Sequence, residues 1–211
     1  MRENYITVKA NGSNELIISK SKFIAHCTRV ETEEQALQFI QLIKKEHANA
    51  THNCSAYVIG EHDQIQKAND DGEPSGTAGV PMLEVLKKQG LKDVVIVVTR
   101  YFGGIKLGAG GLVRAYGKAT TIGIDAAGVV ERRLHHVMKI SVDYTLLGKL
   151  ENEIRQSSYI LDVIDYTDAV EFTVFVEKEQ EEAFTQWITN LTSGQSEINL
   201  VRKEFLEFPQ S

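Results

Sequence analysis

The stretch DVVIVVTRYF, residues 93–102, runs directly into a segment with five glycines in nine residues. An almost unbroken run of β-branched residues predicts a strand that is buried on both faces of a sheet. From Leu112 onward, apolar side chains recur at helical spacing. These apolar positions are 112, 115, 116, 119, 122 and 126. The order of strand, glycine loop and helix predicts a sheet covered by helices.

The length of the chain and its uneven charge predict two domains. A chain of 211 residues is long for one ordinary domain. Residues 1–133 carry 17 Lys and Arg against 15 Asp and Glu, whereas residues 134–211 carry 6 against 14. We therefore expect a first domain over 1–133 and an acidic second domain over 134–211. Only the first domain is a candidate for binding a polyanion.

Short strands and three helices are expected in the first domain. Thr32 is a candidate cap for a helix with acidic residues in its first turn and lysines near its end. Pro81 suits the first turn of a shorter helix that Gly90 would close. The pattern predicts strands at 5–10, 15–20, 22–30, 53–60 and 64–69, and helices at 31–48, at 81–89 and from 112.

The second domain has a different order of elements. From about residue 134 the pattern gives strand, helix, strand, strand, helix and strand, which is the βαββαβ order of a ferredoxin-like domain. Trp187, Phe184, Ile188 and Leu191 share one face of its second helix. We expect this face to lie in the core. The predicted fold class of the whole chain is α+β.

The glycine loop has the chemistry of an anion site. Glycines allow a close backbone approach, and the N-terminus of a helix adds free N–H donors. Lys106 in the loop and Arg114 in the helix add full charges. The loop matches neither the G-x-x-x-x-G-K-[ST] phosphate loop nor the G-x-G-x-x-G dinucleotide loop. The glycines could therefore equally serve only a tight turn between strand and helix. Its glycines are Gly103, Gly104, Gly108, Gly110 and Gly111.

The loop DDGEPSGTAG, residues 70–79, places three carboxylates within four residues. Asp70, Asp71 and Glu73 could cap turns and helix starts, as loop carboxylates commonly do. They could also pair with arginines of the next loop, or act as metal ligands or as an acid and base pair. All three interpretations stay open at this point.

The cysteines and His52 do not form a pattern typical of a catalytic or metal centre. Cys27 and Cys54 are too few to crosslink a chain of this size, so we expect buried thiols. His52 and Cys54 have no third orienting group beside them. No stretch reaches the length of a membrane span and no leader is visible at the N-terminus, so we expect a cytoplasmic protein without a membrane contact. We expect no metal and no cofactor.

Two long motifs resemble those of one family. The segments DDGEPSGTAGVPML and VVIVVTRYFGGIKLGAGGLVRAYGKA, with SKSKFIAHC and THNCSAYVIG upstream, are similar to the YigZ/IMPACT family over residues 15–125. The resemblance implies a first domain like the second domain of ribosomal protein S5. It also implies a ferredoxin-like second domain resembling one in elongation factor G, as in the bacterial two-domain members.

The resemblance also implies a function. Eukaryotic members act by binding a ribosome-associated activator of a stress kinase, and bacterial members are thought to bind nucleic acid or ribosomes. We therefore expect a non-catalytic regulatory protein linked to translation that binds RNA, the ribosome or a translation-associated protein. The expected contacts are Arg100, Tyr101, Phe102, Lys106, Arg114 and Lys118 with the glycine loop, and Asp70 or Asp71 would orient Arg100.

Two other functions fit the same loop. An enzyme acting on a phosphorylated small molecule could use Asp70, Asp71 or His52 as metal ligands or base. A protein-only adaptor could instead use the apolar loop residues Phe102, Ile105 and Leu107. A pocket joining His52 to the glycine loop would favour the enzyme, whereas a flat surface would disfavour it.

Overall fold

A computed structural model describes residues 2–210 of the chain. The chain divides into two compact units, Met1–Arg132 together with Glu207–Ser211, and Arg133–Leu206. The expected α+β class is confirmed, because both units combine helices with antiparallel sheets. Residues 207–210 group with the first unit, whereas the sequence pattern predicted a second domain over 134–211.

One five-stranded antiparallel sheet forms the centre of the first unit. Its order is β2, β3, β6, β4 and β5. The strand β6 carries the β-branched run and lies in the middle, where all of its residues but the last are buried. The strands of this unit are β1 (Asn4–Val8), β2 (Gly12–Ile18), β3 (Ser21–Arg29), β4 (His52–Ile59), β5 (Ile65–Asn69) and β6 (Val94–Tyr101).

Three helices cover the two faces of this sheet. They are α1 (Glu33–Glu46), α2 (Gly79–Lys88) and α3 (Gly108–Ala127). Helix α1 packs on one face, with Ile40 and Ile43 against Val95 and Val97 of β6. Helices α2 and α3 pack on the other face, and their side chains form the larger core with alternate residues of β3, β4 and β6. This arrangement explains why β6 has no polar face.

Local signals for α1 and α2 are confirmed. The Thr32 hydroxyl accepts a hydrogen bond from the N–H of Gln35 and so caps α1. Helix α2 begins at Gly79, two residues before Pro81. Just beyond its end, Gly90 has a φ of +66° and its N–H donates to the carbonyl of Lys87. This is the left-handed backbone conformation that glycine adopts most easily.

Helix α3 differs from the prediction in its start and in its buried face. It begins at Gly108, one turn before the predicted start at Leu112. Ala126, expected on the packed face, is exposed, and Gly123 and Ile124 are buried instead. A Cβ at position 123 would lie 2.7 Å from the Cβ of Ala25. The absent side chain therefore lets the helix approach β3 closely, which a count of apolar residues does not reveal.

The second unit is ferredoxin-like, as expected. In its sheet β9 pairs with both β7 and β8, and β10 pairs with β7. Helices α4 and α5 bury Leu150, Ile154, Phe184 and Ile188 against this sheet, and Trp187 packs partly buried beside them. Its elements are β7 (Val129–Val142), α4 (Leu147–Gln156), β8 (Ile160–Tyr166), β9 (Val170–Glu177), α5 (Glu181–Thr192) and β10 (Ser196–Pro209), with 3₁₀ turns at Tyr144–Leu146 and Lys178–Gln180.

None of the helices within residues 2–210 combines the length and apolarity that crossing a lipid bilayer demands. The longest of them is α3, with 20 residues.

Two glycines of α3 test how tightly this helix packs. Replacing Gly123 with alanine should lower the free energy of unfolding by about 1–3 kcal/mol, because the new methyl group collides with Ala25. Replacing Gly117 with alanine should raise it by up to about 1 kcal/mol, because the new Cβ would meet its nearest neighbour at 4.0 Å. Urea unfolding followed by circular dichroism measures both changes. Equal stability of the two variants would contradict the close approach.

Candidate functional site

A cavity of about 410 Å³ lies in the first unit, at the end of β6 and the start of α3. It joins His52 to the glycine loop, as the enzyme hypothesis required. The strand register explains this junction, because His52 at the start of β4 pairs with Arg100 near the end of β6. The cavity is lined by Thr51, His52, Glu73, Pro74, Arg100, Phe102, Lys106, Leu107, Gly108, Ala109 and Leu112.

A buried ion pair lies at the inner end of this cavity. Nη1 of Arg100 donates to Oε1 of Glu73 over 2.6 Å, and the hydroxyl of Tyr116 donates to the same oxygen over 2.7 Å. Arg100 is only 5% exposed and Glu73 only 7%. Nη2 of Arg100 also donates to Oγ of Ser21 over 3.3 Å. These bonds hold both charges in fixed positions, which a buried ion pair requires.

His52 faces the second oxygen of this carboxylate. Its Nδ1 lies 2.8 Å from the carbonyl oxygen of Asp71, and its Nε2 lies 3.7 Å from Oε2 of Glu73. A carbonyl oxygen can only accept, so Nδ1 carries the proton in the neutral ring. Nε2 of the neutral ring is then an acceptor. When His52 is neutral, the inner end of the cavity therefore presents two acceptor atoms side by side.

The acidic loop serves mainly to shape the backbone. Asp70 accepts hydrogen bonds from the N–H groups of Gly76, Ala78 and Gly79. Burial alone would raise the pKa of Asp70, but these three donors outweigh it and lower the pKa below its ordinary value. The carboxylate of Asp71 accepts from Nζ of Lys44 and the N–H of Asn53. Capping is thus the role of Asp70.

Arg100 corrects two expectations. Glu73, and not Asp70 or Asp71, holds Arg100, because the carboxylates of Asp70 and Asp71 are engaged elsewhere. Arg100 is also buried, although the sequence suggested an exposed phosphate contact. Its guanidinium lies between the rings of Phe23 and Phe102, with 5.4 Å from its central carbon to each ring centroid. An arginine at a strand end carries no local signal of this burial.

The glycines divide between two roles. Gly103 makes a tight contact, since a Cβ there would lie 2.0 Å from the backbone of Lys20. Gly104 and Gly108 have φ values of +85° and +70°. These three satisfy the tight-turn interpretation. Gly110 and Gly111 have a second role, because they form part of the first turn of α3.

Some of the amides in this region are engaged and others are not. The N–H of Phe102 donates to Thr51, and the N–H of Gly103 donates to Ser21. The first three N–H groups of α3, those of Gly108, Ala109 and Gly110, have no acceptor within the helix. The N-terminus of α3 therefore offers donors toward the mouth of the cavity, while the preceding strand end does not.

Three cations lie on the glycine loop and on α3, and of these only Lys106 lines the cavity. Lys106, Arg114 and Lys118 are exposed, and within residues 2–210 none of them forms an ion pair. Phe102 is 46% exposed, and its ring covers Arg100. Tyr101, the other aromatic candidate, is half-buried with its hydroxyl 2.9 Å from Nδ1 of His47. Phe102 is therefore the aromatic ring that a partner can reach.

The chemistry available here excludes a cysteine nucleophile. Burial raises the pKa of the Cys54 thiol to about 12, and its Sγ lies 3.0 Å from the carbonyl oxygen of Asp70. Cys27 is likewise a buried free thiol. Over the described part of the chain, no group of three or more His, Cys, Asp and Glu side chains is placed to hold a metal ion.

A double-mutant cycle tests the buried ion pair. Glu73→Gln alone should cost about 3–5 kcal/mol of unfolding free energy, because it leaves Arg100 buried without its counter-charge. Arg100→Met alone should cost a similar amount. The double variant should cost clearly less than the sum, because both charges are gone. Urea unfolding of the four proteins gives the coupling, and strictly additive losses would contradict an energetic link.

The hydrogen bonds of Asp70 predict a pH effect. Because the folded-state pKa is lowered, its stabilising contribution is complete above the unfolded pKa of about 3.9 and is lost as the pH falls through the folded value. Asp70→Ala should cost about 1 kcal/mol at pH 7. Its deficit relative to the parent should shrink below about pH 4. Urea unfolding at pH 7 and pH 3 measures this, and a deficit that grows in acid would contradict it.

Two family models match the chain. One, described as the Impact N-terminal domain, matches residues 19–124, which include every residue that lines the cavity. The other, described as a domain of unknown function, DUF1949, matches residues 140–195. The two matches fall on either side of the boundary between the compact units.

Relatives and one solved structure agree with these matches. The chain is 61% identical over 207 residues to IMPACT family member YvyE of Bacillus subtilis, which covers 98% of this chain and 95% of that protein. It is 37% identical over 204 residues to an IMPACT family member of Haemophilus influenzae, covering 93% and 97%. A crystal structure of a hypothetical protein superposes with a TM-score of 0.61 at 29% identity, covering 96% and 99%. The chain therefore belongs to the IMPACT family, with an Impact N-terminal domain followed by a DUF1949 domain.

Proposed function

We propose that this protein is a non-catalytic regulator of translation that binds RNA, alone or in the ribosome, through its first domain in the cytoplasm. The observation that carries the proposal is the group of exposed cations on the glycine loop and α3, Lys106, Arg114 and Lys118, which form no ion pair within residues 2–210. We call these three residues the mouth cations. Cations without internal partners are free to contact phosphates.

Three neighbouring features support this choice of partner. The free N–H donors at the start of α3 add a partial positive charge beside the mouth cations. The exposed ring of Phe102 offers a stacking surface for a base. Charge also favours this domain, since residues 134–211 carry 14 Asp and Glu against 6 Lys and Arg and would repel a polyanion.

RNA binding should depend on the mouth cations and on salt. The triple variant Lys106→Ala, Arg114→Ala and Lys118→Ala should bind a labelled single-stranded RNA of mixed sequence more weakly than the parent. The slope of log K against log salt concentration should fall by roughly 2, since each phosphate contact on a single strand contributes about 0.7. Fluorescence anisotropy over a range of KCl concentrations measures both quantities.

A second triple variant with the same change in net charge is the control. Lys45, Lys67 and Lys88 are exposed on α1, on β5 and just at the end of α2, and within residues 2–210 they too form no ion pair. Their replacement by alanine should weaken binding much less, and the slope should stay close to that of the parent. Equal losses in the two triple variants would argue against a specific site. Salt-resistant binding to ribosomal protein would support the adaptor hypothesis instead.

One observation favours a second candidate, an enzyme that acts on a phosphorylated small molecule. The cavity joins His52 to the glycine loop, and Nε2 of neutral His52 can accept a proton there. Asp70 and Asp71 no longer support this candidate, because their carboxylates are engaged in internal bonds. Turnover of a phosphate ester that is lost in His52→Ala would favour the enzyme over the binding protein.

A further inference from the structure

The cavity beside the mouth cations has two unlike ends. Its inner end is polar, with Glu73 and His52, and its walls are largely apolar, with Pro74, Leu107 and Leu112. Lys106 lies at its outer end, next to the free N–H groups of α3. A ligand that fills it must therefore carry hydrogen-bond donors at one end, a flat apolar body, and an anionic group at the other end.

The carboxylate at the inner end of the cavity has one oxygen that no protein group donates to. Oε1 of Glu73 already accepts from Arg100 and Tyr116, whereas Oε2 accepts no hydrogen bond from any residue in the range 2–210. Nε2 of His52, the acceptor of the neutral ring, lies 3.7 Å from this oxygen. Oε2 is not one of the buried unpaired atoms of residues 2–210, so it is open to the cavity and can accept a hydrogen bond from a ligand there.

One wall is an aromatic ring that lies against the guanidinium of Arg100. The guanidinium of Arg100 lies 5.4 Å from the centroid of Phe102, and the ion pair with Glu73 holds that guanidinium in place. The ring of Phe102 also lines the cavity and remains 46% exposed. A flat ligand can stack on this ring with little loss of side-chain freedom.

The size of the cavity limits the ligand. A volume of about 410 Å³ is at the lower end of the range of small-molecule pockets, which is about 300–1,000 Å³. It accommodates a single nucleotide but not a stacked pair of bases or a duplex. Single-stranded RNA is commonly read in this way, with an unstacked base inserted beside an aromatic ring and its edge bonded by polar side chains.

We propose that the cavity binds one unpaired nucleotide of the RNA, with guanine as the preferred base. This inference rests on the proposed function. The N1–H and N2 amino groups of guanine are adjacent donors, which match Oε2 of Glu73 and Nε2 of His52. The base stacks on Phe102, and its phosphate lies near Lys106 and the start of α3. Uracil is disfavoured, because its single N–H lies between two carbonyl oxygens that would face the two acceptors.

Binding of free nucleotides to the full-length protein tests this selectivity. Calorimetric titration with the 5′-monophosphates of guanosine, inosine and uridine at one ionic strength should give affinities in that order. Guanosine monophosphate should bind at least about tenfold more tightly than uridine monophosphate. Inosine monophosphate should lie between them, because it keeps the N1–H and lacks the N2 amino group. Equal affinities for all three would overturn the base assignment.

Substitutions distinguish the contribution of the cavity walls to nucleotide binding from the contribution of the inner end. Phe102→Ala should weaken all three nucleotides by about tenfold or more without changing their order. His52→Ala should reduce the preference for guanine more than it weakens the uridine nucleotide. Val113→Ala is the matched control, because Val113 is 40% exposed on α3 and does not line the cavity. It should leave all affinities unchanged.

The outcomes distinguish this inference from the proposed function. If RNA binds through the mouth cations but no nucleotide binds in the cavity, the inference is wrong and the proposed function survives. If guanosine monophosphate binds and RNA does not, the cavity is a small-nucleotide site and the proposed function fails. If neither RNA nor any of the nucleotides binds, both the inference and the proposed function are wrong. Tighter binding of uridine monophosphate would contradict the arrangement of acceptors described above.

Discussion

The buried ion pair between Arg100 and Glu73 is the interaction on which the candidate site depends. It places opposite charges from β6 and from the acidic loop in contact over 2.6 Å, and Tyr116 of α3 donates to the same carboxylate oxygen. Three separate segments of the chain therefore meet at one oxygen atom. Because an unpaired charge at this depth would cost several kcal/mol, the segments cannot separate without a large penalty. The cavity keeps its shape for this reason.

The basic residues of the candidate site differ in how deeply they are buried. Arg100 is buried, pairs with Glu73 and lies against the ring of Phe102. Lys106, Arg114 and Lys118 are exposed and form no ion pair inside the described range, so in the proposed function they supply the attraction for an anion. Shape and attraction thus come from different residues. A variant at the surface can change binding without disturbing the fold, whereas a variant at Arg100 changes both.

Much of the fold follows from local patterns. The β-branched run of β6, the cap at Thr32 and the βαββαβ order each reflect constraints within a short segment, and all three are confirmed. The first four apolar positions predicted for α3, 112, 115, 116 and 119, are buried as expected. Its start and the later part of its buried face were predicted wrongly, because its first turn is rich in glycine and apolar spacing gives no weight to glycine. Gly123 can be buried against β3 because it has no side chain, whereas any side chain there would collide with Ala25.

The sequence by itself determined that a glycine loop, a basic helix and an acidic loop belong to one domain. Only the tertiary structure decided which charges meet. Strand register brings His52 beside Arg100, and the packing of α3 brings Tyr116 to Glu73, 43 residues away along the chain. Asp70, Asp71 and Glu73 look alike as neighbours in sequence, yet their carboxylates have different partners. Pairings between distant segments depend on the whole packed arrangement, which no local pattern encodes.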